Sequence, residues 1–95
     1  MSKNKTLEAR VRVMPRPEIL DPQGKAVAAS FVRLGFDQVS DVRVGKSFDI
    51  TLEAADENEA AELLKTMADK LLANSVVEDF TVEILGESAE GKDQS

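Results

Sequence analysis

The chain has 95 residues, enough for one domain around one modest core and too few for a buried multi-part active site. It contains no Cys and no His, which removes the thiol nucleophile, the imidazole base and the commonest zinc ligands. Twelve Lys plus Arg against 18 Asp plus Glu leave a formal charge of -6, which repels phosphate backbones and anionic lipid and excludes nucleic acid and membrane as first partners.

Taken in chain order, residues 1–5 are polar and read as a flexible start. No apolar stretch follows their lysines and no later run reaches transmembrane length, so a cytoplasmic protein is expected. Leu7, Ala9, Val11 and Val13 alternate with Glu8, Arg10 and Arg12, which predicts a half-buried strand ended by Pro15 and Pro17. "LDPQGKAV" (residues 20–27) then offers Asp21 as N-cap and Pro22 at the first helical position. The helix it starts carries Val27, Phe31 and Leu34 at helical spacing, leaves Val32 off that stripe, and stops at Gly35.

Alternation of Val42 and Val44 with Asp41, Arg43 and Gly45 predicts a second strand from Val39. "VGKS" reads as a hairpin turn, and Phe48, Ile50 and Leu52 mark the return strand. Asp56 and Glu59 form an Asp variant of the capping box, ahead of Ala60, Leu63, Leu64, Met67 and Leu71 in a helix reaching about Ala73. Asn74 suits a left-handed cap, and Phe80, Val82 and Ile84 give a fourth strand. Residues 86–95, "GESAEGKDQS", have almost nothing apolar to bury and read as a disordered acidic tail. The expectation is one α+β domain over residues 6–85. Its order is βαββαβ: a four-stranded, mainly antiparallel sheet with both helices on one face, ferredoxin-like in outline, with right-handed crossovers. The other face, with Glu8, Arg10, Arg12, Asp49, Glu53 and Glu83, should be solvated, and edge pairing into a dimer stays open.

Several stretches imitate chemistry. "SDVRVGKS" (residues 40–47) ends like a phosphate-binding loop, but Ser40 stands where that loop needs glycine, and a hairpin turn has no helix dipole to face the anion. The free amides at the first helix entrance could hold an anion, yet Asp21 occupies them itself. Glu53, Asp56, Glu57, Glu59 and Glu62 complement a helix dipole and lack the spacing of a calcium loop, so no metal site is assigned. Glu78 and Asp79 are strand neighbours pointing opposite ways, which gives no acid–base pair. Leu72 lies off the Leu63–Met67–Leu71 stripe and so offers a second apolar contact. Val76 and Val77 either cover the end of the core or face a partner.

Three separated segments, "LDPQGKAV", "VSDVRVGKSFDI" (39–50) and "LLANSVVEDFTVEI" (71–84), together resemble the PurS family, the small subunits of bacterial and archaeal phosphoribosylformylglycinamidine synthase. The resemblance implies a part in the fourth step of purine biosynthesis. There formylglycinamide ribonucleotide becomes formylglycinamidine ribonucleotide with ATP and glutamine-derived ammonia. It implies a dimeric, non-catalytic adaptor bridging a large synthetase subunit and a glutaminase subunit. ATP, magnesium and glutamine are then used by the partners, and no cofactor is bound by this chain. Gln23, Gly24 and Lys25, with Arg43, Gly45 and Lys46, become candidate partner-facing residues; Leu72, Asn74, Glu78 and Asp79 become candidates near a subunit junction. A different class stays in view: a regulatory amino-acid-binding module of the ACT type shares the expected element order. Against it, the loop after the first strand is "PRPEILDPQG", with two prolines in place of a glycine-bearing ligand loop. An acylphosphatase-like enzyme would need an anion-gripping arginine loop there, and Arg16 alone supplies little of one.

Overall fold

The computed structural model describes residues 4–88. Its first strand, β1 (Lys5–Pro15), is the middle of the sheet. The alternation that predicted it is expressed in full: Leu7, Ala9, Val11 and Val13 are all buried, while Glu8 and Arg12 are exposed. β2 (Lys46–Ala54) and β3 (Glu78–Glu87) flank β1, both antiparallel to it, in the order β2-β1-β3. Val11 stands opposite Phe48 on one side and Val82 on the other, so three apolar rows line up on one face. A β-bulge shifts the β1–β3 register at Glu8/Ala9, and Gly86, opposite Glu8, takes the positive φ (+128) that this irregularity needs.

Helix α1 (Pro22–Arg33) begins at the capped Asp21, and Gly35, with φ +96, closes its far end as expected. Helix α2 (Glu57–Met67) starts at a working capping box: the Asp56 carboxylate accepts from the Glu59 amide at 2.8 Å, and the Glu59 carboxylate accepts from the Ala55 amide. A π-helical turn, Ala68–Leu72, continues α2 before β3. Ala60, Leu64 and Ala68 press onto the sheet, with Phe48, Ile50, Phe80, Val82 and Ile84 around them. The core is thus one sheet face under one helix.

Three expectations are corrected. The sheet has three strands, because residues 39–45 form no strand. The Val44 amide, which a ladder would need, donates to the Asp21 carboxylate at 2.8 Å, and Gly45 is wedged against Met14 and the Val13 carbonyl. Val42, Arg43 and Val44 are all half-buried, so the alternation of the two valines is not expressed as two faces. Second, only α2 covers the sheet. α1 makes no extended contact with any other element and buries only Gly24, so it projects as an arm, with residues 34–45 returning from its tip. Third, the α2 stripe is displaced. Leu63, Met67 and Leu71 are exposed beside the buried Ala60–Leu64–Ala68 row, and Leu72 packs on the core. At α-helical spacing Leu71, seven residues after Leu64, would fall on the buried row. The wider π turn needs about one more residue to come round, which turns Leu71 outward and brings Leu72 in.

β1 includes Lys5, paired with Ala54, and β3 runs to Glu87, two residues into the stretch expected as a tail; the Ser88 amide still reaches the Thr6 carbonyl at 2.8 Å. Residues 1–3 and 89–95 lie outside the described chain. Among the described residues, no helix is long and apolar enough to cross a membrane.

Candidate functional site

At the end of β1 the chain ties four segments together, and most of the candidate residues lie there. Asp21 is the centre. One carboxylate oxygen accepts the Gly24 amide at 2.9 Å, as an N-cap should, and the other accepts the Val44 amide at 2.8 Å from a segment 23 residues away. These two amide bonds, first Gly24 and then Val44, hold its carboxyl below the usual carboxylate range, helped by the nearby Arg43 and Lys25 charges and opposed by burial. Gly24 sits so close that an added Cβ would strike the Val42 carbonyl and the Asp21 carboxylate. Pro22 needs no amide partner at that turn, which leaves the capping geometry to Asp21 alone.

Arginines fasten the remaining strands of the clasp. Arg43 donates to the Arg16 carbonyl at 2.7 Å and to the Pro15 carbonyl at 3.4 Å, anchoring the return segment to the end of β1. Arg16 donates to the Ser75 carbonyl, and its Nε lies 3.2 Å from Asp79 in an ion pair too poorly aligned for a hydrogen bond. The Arg16 amide gives a further bond to the Val77 carbonyl at 2.9 Å. Between Ala73 and β3 the turn is organised by Asn74: its side chain accepts from the Val76 amide at 3.1 Å, and the Asn74 amide donates to the Glu78 carboxylate at 2.8 Å.

The candidates therefore divide. Asp21 and Pro22 set the helix entrance; Gly24, Arg43 and Gly45 serve the internal clasp; Asn74, Glu78 and Asp79 shape the neighbouring turn and β3. Gln23, Lys25 and Lys46 are exposed around this frame, and Leu72 is half-buried at the core's edge, away from the arm. Sequence reasoning gave too little weight to Arg16, which links both turns. Its one signal was its place between Pro15 and Pro17, where the chain must change direction and carbonyls lose their ladder partners.

Chemically the site can bind but has little to react with. At the start of α1 the Asp21 carboxylate engages the Gly24 amide and the Asp21 carbonyl the Lys25 amide, and the "VGKS" lysine and serine open β2, with no helix behind them to face an anion. Among the described residues no group of three acidic side chains gathers in a way that could hold a metal ion. A shallow hollow beside the clasp is lined by Met14, Pro15, Pro17, Asp41 and Arg43. Backbone pinned at several points and fringed by exposed polar side chains is what this region presents to solvent.

Comparison with known proteins bears on what that surface serves. A family model described as PurS, phosphoribosylformylglycinamidine (FGAM) synthase, matches residues 8–86. The phosphoribosylformylglycinamidine synthase subunit PurS of Synechocystis sp. is 47% identical over 83 residues, 87% of this chain and 83% of the relative. That of Bacillus subtilis is 39% identical over 77 residues, 81% of this chain and 90% of the relative. Among solved structures, B. subtilis PurS superposes with a TM-score of 0.74 at 37% identity, covering 82% of this chain and 96% of that one. A chain of PurLQS from Thermotoga maritima gives 0.78 at 29% identity, covering 84% and 98%.

Proposed function

Since this chain belongs to the PurS family and is a subunit of phosphoribosylformylglycinamidine synthase, we propose that it acts as the non-catalytic bridge between the synthetase and glutaminase subunits of that complex. The reaction converts formylglycinamide ribonucleotide to formylglycinamidine ribonucleotide at the expense of ATP and glutamine. ATP, magnesium and glutamine are handled by the partners, and this chain works as a homodimer that holds them in a competent arrangement. The observation that carries this reading is the Asp21–Arg43–Arg16 clasp: all three side chains are engaged in shaping backbone, in a chain that has no Cys or His to offer a reaction.

Ammonia released into bulk water is protonated and diluted, so release and use must be coupled in space or time. A rigid adaptor does this by binding the active arrangement of its partners more tightly than any other, which shifts their population toward it. The T. maritima PurLQS chain that this fold matches supports such an assembly. An amino-acid-binding module of the ACT type, or an acylphosphatase-like enzyme, rested on a βαββαβ order, and the second strand of that order is absent.

Size-exclusion chromatography of this chain with the synthetase and glutaminase subunits, in the presence of glutamine and nucleotide, tests the bridge. Co-elution of all three, lost when this chain is left out, is the expected result. Synthetase and glutaminase that co-elute equally well without it would refute bridging.

A further inference from the structure

The three methionines of this chain are not equivalent. Met67 belongs to the exposed row of α2, and Met1 lies outside the described residues. Met14, the last residue but one of β1, lays its thioether over Gly45 in the clasp, where an added Cβ would run into the Met14 sulfur and the Val13 carbonyl. The missing side chain of Gly45 is what lets the sulfur lie there. One residue back, the Val44 amide donates to Asp21 at 2.8 Å, so a displacement at Gly45 acts directly on the bond that ties this segment to the start of α1.

The Met14 side chain is also reachable. It is 38% exposed and walls two hollows of about 260 Å³ each, one lined further by Pro15, Pro17, Asp41 and Arg43 and the other by Arg12, Asp79, Phe80 and Thr81. A water molecule takes about 30 Å³, so hydrogen peroxide, only slightly larger, enters either hollow. Both hollows carry a guanidinium. Arg43 is committed to the Arg16 carbonyl and, at a long 3.4 Å, to the Pro15 carbonyl, whereas the Arg12 side chain bonds to nothing among the described residues. A thioether is a weak acceptor for either, but a sulfoxide oxygen is a strong one.

We propose that Met14 is an oxidation site whose modification unfastens the arm. A sulfur lone pair attacks one peroxide oxygen, an S–O bond forms as the O–O bond breaks, the sulfur is oxidised by two electrons and the second oxygen leaves as water. On the side of Gly45 and the Val13 carbonyl there is no room for the new oxygen, and the carbonyl repels it. It therefore turns into a hollow and accepts from a guanidinium, either drawing Arg43 away from the Pro15 carbonyl or drawing the side chain toward Arg12 and off Gly45. In both cases the support of residues 44–45 is lost and the Asp21–Val44 bond opens. A methionine sulfoxide reductase, taking two electrons from a dithiol, restores the thioether and releases water.

The test is hydrogen peroxide treatment of the folded full chain carrying Met67→Leu, read by peptide mass spectrometry and hydrogen exchange. Met14 gains one oxygen, exchange at the Val44 amide speeds up at least about tenfold while β1 amides keep their protection, and reductase with dithiol reverses both changes. Met14→Leu in the same background keeps the slow Val44 exchange after peroxide. Met14→Gln, which puts an amide oxygen near the place of the sulfoxide, speeds it up without any oxidant. A Met14 that takes up oxygen only once the chain is unfolded in urea, or a Met14 sulfoxide that leaves Val44 exchange unchanged, overturns the proposal.

Discussion

Asp21 bridges two segments 23 residues apart, since one of its oxygens accepts the Gly24 amide and the other the Val44 amide. Its folded-state carboxyl titrates below the ordinary value near 3.9, so its contribution is complete above that value and disappears as pH falls through the lowered folded one. The expected outcome is that the acid limb of the melting-temperature profile becomes shallower in Asp21→Asn, and that the Val44 amide loses hydrogen-exchange protection in the same variant. An unchanged acid limb would show that the carboxylate is not linked to folding. The two clasp glycines make a second case. An added methyl at Gly24 strikes the Val42 carbonyl, and at Gly45 it strikes Met14 and the Val13 carbonyl. Gly24→Ala and Gly45→Ala should each cost about 1–3 kcal/mol in urea denaturation, although Gly→Ala in an unhindered helix stabilises.

At the scale of elements, α2 and β1 carry the core and the arm hangs from it. Leu64→Ala removes a fully buried side chain and should cost about 2–5 kcal/mol. In the π turn the order of sensitivity is inverted relative to α-helical spacing: Leu72→Ala should lower stability in urea denaturation more than Leu71→Ala. Much of this architecture is legible in sequence. The β1 alternation, the Asp21 and Asp56–Glu59 caps and the Gly35 stop are local signals, and the local structure obeys them. What failed depends on distant partners. Val42 and Val44 alternate like a strand, but a carboxylate 23 residues away takes the Val44 amide. The π turn exchanges Leu71 for Leu72 with no local marker. Periodicity also reports that α1 has an apolar side without saying which surface it meets, so placing it on the sheet of its own chain was the natural error.

For the whole molecule the consequence is a shape unlike that of a self-sufficient domain. Its Cα radius of gyration is 17.5 Å, with extents of 58 × 32 × 17 Å, against about 13 Å for a compact chain of 100 residues. A protein so extended, with Asp21, Arg16 and Arg43 tied into backbone support at the root of its arm, is suited to standing between larger bodies. Hydrogen exchange should follow the same division, with β1 amides slowest and arm amides fast.

The central claim is that this subunit supplies arrangement and no bond chemistry. Its most direct test is steady-state turnover of formylglycinamide ribonucleotide by the synthetase and glutaminase subunits, with and without this chain, using glutamine or free ammonia as nitrogen source. The account predicts that glutamine-dependent turnover collapses when the chain is omitted, that ammonia-dependent turnover persists, and that the chain alone hydrolyses neither glutamine nor ATP. Glutamine-dependent turnover that is equally fast without it, or any hydrolysis by the isolated chain, would contradict the account.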